Sequence, residues 1–291
     1  MRSVIQKCLK FVRVLKRVIC RRALAAATSS SRDVAENQVL LLNNSSDPRS
    51  VDPTQGLNSG GGRPVVCWVP LAQCRTFRGM FALNQDCMDP RFLFAQRYKE
   101  LGNIDLEASP FRVWREAVAP RCAADLLGIK TDPSSYLRQK ASLAWRMPWD
   151  RKPTRQQRRA RVNYLERSDL ASDKHEVERV VAIVDSIRSN GYQPESFGYA
   201  TGWLLDRGDS DFAVLIAAGN HRAAVLLALG YDSIPIRFKP SSLVTRCSVN
   251  SWPGVRAGAF TVEEALQVFD RVFCGECPEF LSGVWPDVLA R

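Results

Sequence analysis

Histidine is scarce in this chain of 291 residues, where only His175 and His221 occur. That scarcity leaves Cys274 and Cys277, the one closely spaced cysteine pair, without the second pair or His partners that a structural zinc site needs. The two read as ordinary thiols of a C-terminal turn. The nine cysteines are odd in number and lack a regular framework, which fits a reducing compartment rather than a disulfide scaffold. Acidic residues are absent from residues 1–32, which hold nine Lys or Arg. The other 259 residues carry 32 basic and 30 acidic side chains, so the formal net charge of +11 is mostly a property of that tail. A second basic cluster, Arg151, Lys152, Arg155, Arg158, Arg159 and Arg161, leaves the remainder slightly acidic. General affinity for an acidic polymer would have to come from residues 1–32 and 151–161.

The first segment also lacks an uninterrupted apolar run. Val4, Cys8, Phe11, Leu15, Val18 and Ile19 share one helical face, with Lys10, Arg13, Arg17 and Arg21 opposite. Interleaved charge rules out a spanning segment and a secretory signal. Three readings stay open: a peripheral helix on an anionic membrane, a transit-like presequence, or an extension outside the folded protein. The localisation expected is cytoplasmic, with peripheral membrane association through residues 1–32 as the variant. Residues 33–63 read as a flexible linker rich in Asn, Ser, Asp, Pro and Gly, so folded structure is expected to begin near Pro64.

What is present is most legible over residues 211–238. Residues 212–218 (FAVLIAA) form a continuous apolar run, the pattern of a strand buried on both faces. Gly219 ends it, Asn220 suits an N-cap, residues 223–227 carry a helical apolar stripe, and Gly230 suits a C′ position. Residues 234–238 resume as a strand. The connection is long enough for a crossover between parallel strands, so a βαβ unit is expected. The N-terminus of its helix would be an anion site bordered by His221 and Arg222.

Elsewhere, residues 65–69 suggest a strand and residues 110–120 a short helix between two prolines. Residues 77–98 alternate aromatic and charged side chains with no single period. Trp145 and Trp149 read as packing residues rather than base-stacking ones. Residues 154–164 read as a solvated or phosphate-contacting helix. Asp173 and Glu176 fit a capping-box spacing ahead of Val177, Val180, Val181, Val184 and Ile187. Thr261 and Glu264 form a second such box ahead of a helix closed by Gly275. The division expected is a tail at 1–32, a linker at 33–63, a mostly helical region at 64–164, an α/β (mixed α+β) unit at 165–275 and a tail at 276–291. Whether residues 64–160 stand apart from that unit is left open.

Residues 187–238, carrying IRSNGYQPE and then AGNHRAAVLLALGYDSIPIRF, resemble the box shared by the N-terminal domain of ParB partition proteins, the sulfiredoxins and the ParB-fold free-serine kinases. The resemblance implies a compact ParB/sulfiredoxin-like unit with a βαβ core and an N-terminal helical extension. It implies binding of ATP or another nucleotide with Mg²⁺, the phosphates cradled by Gly219, Asn220, His221 and Arg222. It places the 191–195 turn at the active site, which makes Glu195 a candidate general base beside His221. Asp206, Asp209 and Asp211 are candidates for holding Mg²⁺. Sulfiredoxins need a cysteine where Asn220 stands, which argues against reductase chemistry. No helix-turn-helix pair follows residue 238, which argues against site-specific DNA binding. The function expected is an NTP-dependent phosphotransferase or NTP hydrolase; the alternative is a non-catalytic nucleotide sensor or a nucleic-acid or membrane-binding module.

Overall fold

One strand that the sequence reading missed organises the sheet. The computed structural model describes residues 40–41 and 52–278, apart from 77–78, 85, 103–108, 118–121, 155, 158–169 and 209–210. The basic segment 1–32, most of the arginine run 154–164 and nearly all of the tail 276–291 lie outside the described residues. From residue 52 onward the strands are β1 (Val65–Pro70), β2 (Cys74–Thr76), β3 (Phe81–Ala82), β4 (Ala200–Gly208), β5 (Asp211–Ala218), β6 (Ser233–Phe238) and β7 (Leu243–Thr245). The helices are α1 (Pro53–Ser59), α2 (Pro90–Leu101), α3 (Pro110–Ala117), α4 (Ala123–Leu127), α5 (Leu170–Asn190), α6 (Pro194–Phe197), α7 (Asn220–Ala228), α8 (Pro253–Arg256) and α9 (Val262–Cys274).

The seven strands form one mixed sheet in the order β1-β6-β4-β5-β2-β3, with β7 also pairing β4. Strand β4 runs antiparallel to β5 and parallel to β6, so β5 and β6 are neither adjacent nor parallel. The expected parallel βαβ unit is therefore corrected to β5–α7–β6 with β4 inserted between its strands. The cause is a hairpin: residues 206–211 (DRGDSD) are turn-rich and fold β4 back onto β5, taking the edge that a crossover would have used. Burial on both faces holds at residues 213–216 of the apolar run, whereas Ala217 and Ala218 are exposed. Val214 and Ile216 point into one core with α2, α5 and α7, while Ala213 and Leu215 point into another with α9, Trp149 and Trp252. A period of two feeding two apolar layers gives a continuous apolar run whatever the strand directions are.

Residues 64–164 do not stand apart, because β1 pairs with β6 and β2 pairs with β5. Nor does folded structure wait for Pro64. Asp52 accepts from the Thr54 backbone N–H at 2.8 Å and caps α1, with Pro53 in its first turn. Trp145 and Trp149 are packing residues, Trp145 edge-on to Phe260 at 6.0 Å and Trp149 edge-on to Trp252 at 5.3 Å between centroids. The box at Thr261 and Glu264 is formed, and α9 packs on β5.

The end of α9 is held by an arginine from the other side of the chain. Arg75 on β2 donates Nε to the Val272 carbonyl at 3.1 Å and Nη2 to that of Phe273 at 2.8 Å, covering carbonyls that a helix end leaves without partners. Its Nη1 donates to the Ala72 and Cys74 carbonyls. Arg75→Ala is expected to cost about 2–3 kcal/mol, because buried acceptors of a charged donor would be left unmatched. Equilibrium urea unfolding checks it, and a change below about 0.5 kcal/mol would mean that water replaces the guanidinium.

Candidate functional site

The first turn of α7 follows β5 directly. Gly219 sits at its N-cap with φ of 97°, a left-handed conformation that favours glycine. A Cβ there would meet the Ala200 Cβ at 2.9 Å, so β4 and the start of α7 approach each other only because this position has no side chain. Asn220, expected as the N-cap, is instead the first helical residue. The reason is steric: Gly219 alone can take the left-handed turn that swings the chain from β5 into α7. The Ala223 N–H donates to the Gly219 carbonyl, so the N–H groups of residues 220–222 precede the first intrahelical bond. They are the groups that a helix N-terminus offers to an anion.

His221 does not point at a loop. Its Nε2 lies 2.7 Å from Glu176 Oε2 on α5, with side-chain exposures of 17% and 21%. Glu176 was read as part of a capping box, but α5 starts at Leu170 and places it within the helix, free to meet α7. Burial pushes the Glu176 carboxyl up, yet the hydrogen bond and charge of His221, with Arg91 and Arg179, hold it below its ordinary value. Arg91 is itself locked. Its Nε and Nη2 donate to the two oxygens of Asp89 at 2.7 and 2.6 Å, and Asp89 also accepts from Thr76 Oγ1 and the Arg91 backbone N–H. Asp89 has 0% exposure. Asp89, Arg91, Glu176 and His221 thus form a graded chain of charge from the sheet edge to the first turn of α7. Such a chain is costly in an apolar interior, and groups of this kind concentrate at functional sites.

Because the folded Glu176 carboxyl is depressed below its ordinary value of 4.5, its contribution to stability is complete above that pH. It is lost as pH falls through the lower folded value. Glu176→Gln should therefore remove part of the acid destabilisation below pH 4.5, measured as urea midpoints across pH 3 to 7. An acid limb identical to that of the wild type would show the pair to be energetically silent.

Arg222 is placed differently from expectation. Its Nη1 donates to the carbonyls of Phe197 and Gly198, and its Nη2 to that of Tyr199 at 3.4 Å, fastening the loop after α6 to the start of α7. Glu195 is exposed in the first turn of α6, where its charge bears on Tyr192 and Tyr199. The structure thus brings Gly219, Asn220, His221 and Arg222 to one helix start and puts Glu195 on α6, just ahead of the loop that Arg222 holds. Between α5 and α6 lies a pocket of about 240 Å³ lined by Ile183, Ile187, Tyr192, Phe197 and Arg222. The Tyr192 hydroxyl there is buried without a partner, and burial pushes its pKa up.

The aspartates proposed for Mg²⁺ are at the wrong end. Asp211 opens β5 and Gly219 follows its last residue, roughly 26 Å along the strand at about 3.3 Å per residue. Asp211 is paired with Arg207 at 2.6 Å, and Asp206 accepts from the Gly208 N–H. Asp209 lies outside the described residues. Among the described residues no three His, Cys, Asp or Glu side chains converge as a metal site, and no helix is long and apolar enough to cross a membrane.

Reasoning from sequence missed Asp89, Arg91 and Glu176. The signal for the first two was the Asp89-Pro90 pair, an N-cap followed by a first-turn proline. No family model, curated protein or solved structure matches the chain.

Proposed function

We propose that the start of α7 is a phosphate site for a nucleotide and that His221, oriented by Glu176, acts as the acid–base group of a phosphoryl transfer or hydrolysis. The observation that carries this reading is the 2.7 Å contact of His221 with Glu176 in the first turn of α7. A carboxylate on one ring nitrogen fixes the ring, leaving the other nitrogen to exchange a proton with a hydroxyl or water. Gly219 lets backbone approach the site closely, and the N–H groups of residues 220–222 suit the spread charge of phosphate oxygens. The pocket beside Arg222 offers apolar walls for a base. The resemblance to ParB-fold proteins points the same way. Mg²⁺ brought in with the nucleotide would neutralise phosphate charge, with Glu195 the exposed carboxylate on α6.

In this reading His221, oriented by Glu176, takes the general-base role for which Glu195 is the other candidate. Arg222 shapes the site by holding residues 197–199, and this one observation favours the second reading. A guanidinium already committed to three carbonyls suits a sensor in which ligand phosphate competes with the loop. Calorimetric titration of the full chain with ATP, ADP and CTP, each with Mg²⁺, tests the binding claim. Saturable heat is expected, weakened about tenfold to a hundredfold in Arg222→Ala as one charge-assisted contact is lost. No heat with any nucleotide would refute the site, and binding without turnover would select the sensor.

A further inference from the structure

The turn that closes α9 carries chemistry unused by the site above. Cys274 is its last residue, Gly275 turns the chain with φ of 74°, and Cys277 follows. Among the described residues the exposed thiols are Cys247, Cys274 and Cys277, whereas Cys67, Cys74, Cys87 and Cys122 are buried. Cys274 stands between two guanidiniums. Arg207 Nη1 is 4.0 Å from its sulfur, and Arg207 is immobilised by Asp211 at 2.6 Å and by stacking over the Phe273 ring at 4.4 Å. Arg75 is buried, and its Nε, Nη1 and Nη2 each donate to carbonyls. It covers the last carbonyls of α9, so the helix end beside Cys274 presents a guanidinium rather than bare carbonyls.

Cys274 and Cys277 also line a cleft of about 430 Å³, within the range of small-molecule sites. Its wall includes Lys130 and Arg271. Arg271 is 7% exposed; its Nη1 donates to the Gly79 and Glu276 carbonyls at 3.0 Å, while its Nε and Nη2 have no acceptor among the described residues and are closed to solvent. Its positive charge therefore lies beneath the cleft wall. Of the carboxylates on the wall, Asp270 is already paired with Arg246 through two contacts of 2.7 Å, leaving Glu276 against Lys130 and Arg271. The cleft is net cationic with a thiol at its rim.

We propose that Cys274 is a reversible thiolation site for carboxylate-bearing, low-molecular-weight disulfides, whose acidic groups are received by Lys130 over the buried charge of Arg271. The Cys274 thiolate attacks one sulfur of RS–SR, the Cys274–S–S–R bond forms, and RS⁻ leaves and takes a proton from water. The disulfide is the oxidant, so no other is needed. Cys247, equally exposed and outside this cleft, is the internal reference.

The full chain is treated with glutathione disulfide, or with uncharged bis(2-hydroxyethyl) disulfide, and the rate of adduct formation at Cys274 and Cys247 is followed by peptide mass mapping. Glutathionylation of Cys274 is expected about tenfold faster than that of Cys247, because Lys130 and the guanidiniums beside Cys274 draw the anionic disulfide to it. The preference for the charged disulfide should be greater at Cys274 than at Cys247 and should fall severalfold in Lys130→Gln. Equal rates at the two cysteines would overturn the proposal in the wild-type protein alone. Equal preference for the two disulfides at both cysteines, unchanged by Lys130→Gln, would overturn the anion-receiving cleft.

Discussion

Asp89→Ala is expected to lower the free energy of unfolding by about 3–5 kcal/mol, the loss typical when one member of a buried ion pair is removed. Against total stabilities of about 5–15 kcal/mol, that is a large fraction. The carboxylate has 0% exposure and accepts two bonds from the Arg91 guanidinium, one from Thr76 and one from the α2 backbone. Removing it takes the paired carboxylate from a buried cation, uncaps α2 and unties β2 from α2. A double replacement, Asp89→Leu with Arg91→Leu, should recover most of the loss, because the penalty arises from the buried charge left behind rather than from the absent bond. Urea unfolding of both variants decides this. If the double variant is as unstable as Asp89→Ala, capping and the Thr76 bond carry the energy instead.

The second large effect concerns chemistry. If His221 is the acid–base group, His221→Ala should reduce nucleoside diphosphate formation from ATP or CTP by about 10²–10⁴-fold, the usual contribution of general acid–base catalysis. Glu176→Gln should cost less, since the amide can still position the ring but no longer places a charge beside it. The two losses should not add, because the residues act as one unit. Additive losses would separate them. A Glu195→Gln variant with the larger defect would return the base to the 191–195 turn.

Local signals carried much of the fold. Gly219, Gly230 and Gly275 mark turns and helix ends where left-handed backbone is needed, and the run 212–218 is a strand buried on both faces over residues 213–216. What could not be read was direction. The run is compatible with parallel or antiparallel neighbours, and the choice was made by residues 206–211, whose turn returns β4 alongside β5. The helix α2 was illegible because Phe92 and Phe94 sit beside the buried Arg91, so polarity and burial disagree along the helix. Asp-Pro alone does not resolve this. Asp52 and Asp89 cap helices, whereas Asp132, also before a proline, accepts from Ser134 in a turn. The site was half legible for the same reason. Gly219 to Arg222 are contiguous, but Glu176 and Arg91 arrive from α5 and α2, and only packing brings them together.

The most direct test is the amide spectrum of the full chain, labelled with ¹⁵N, during titration with ATP and Mg²⁺. The account predicts saturable shifts concentrated at residues 219–223, with the Glu176 region following and the 206–211 hairpin unmoved. Shifts centred elsewhere, or none at saturating nucleotide, would contradict it.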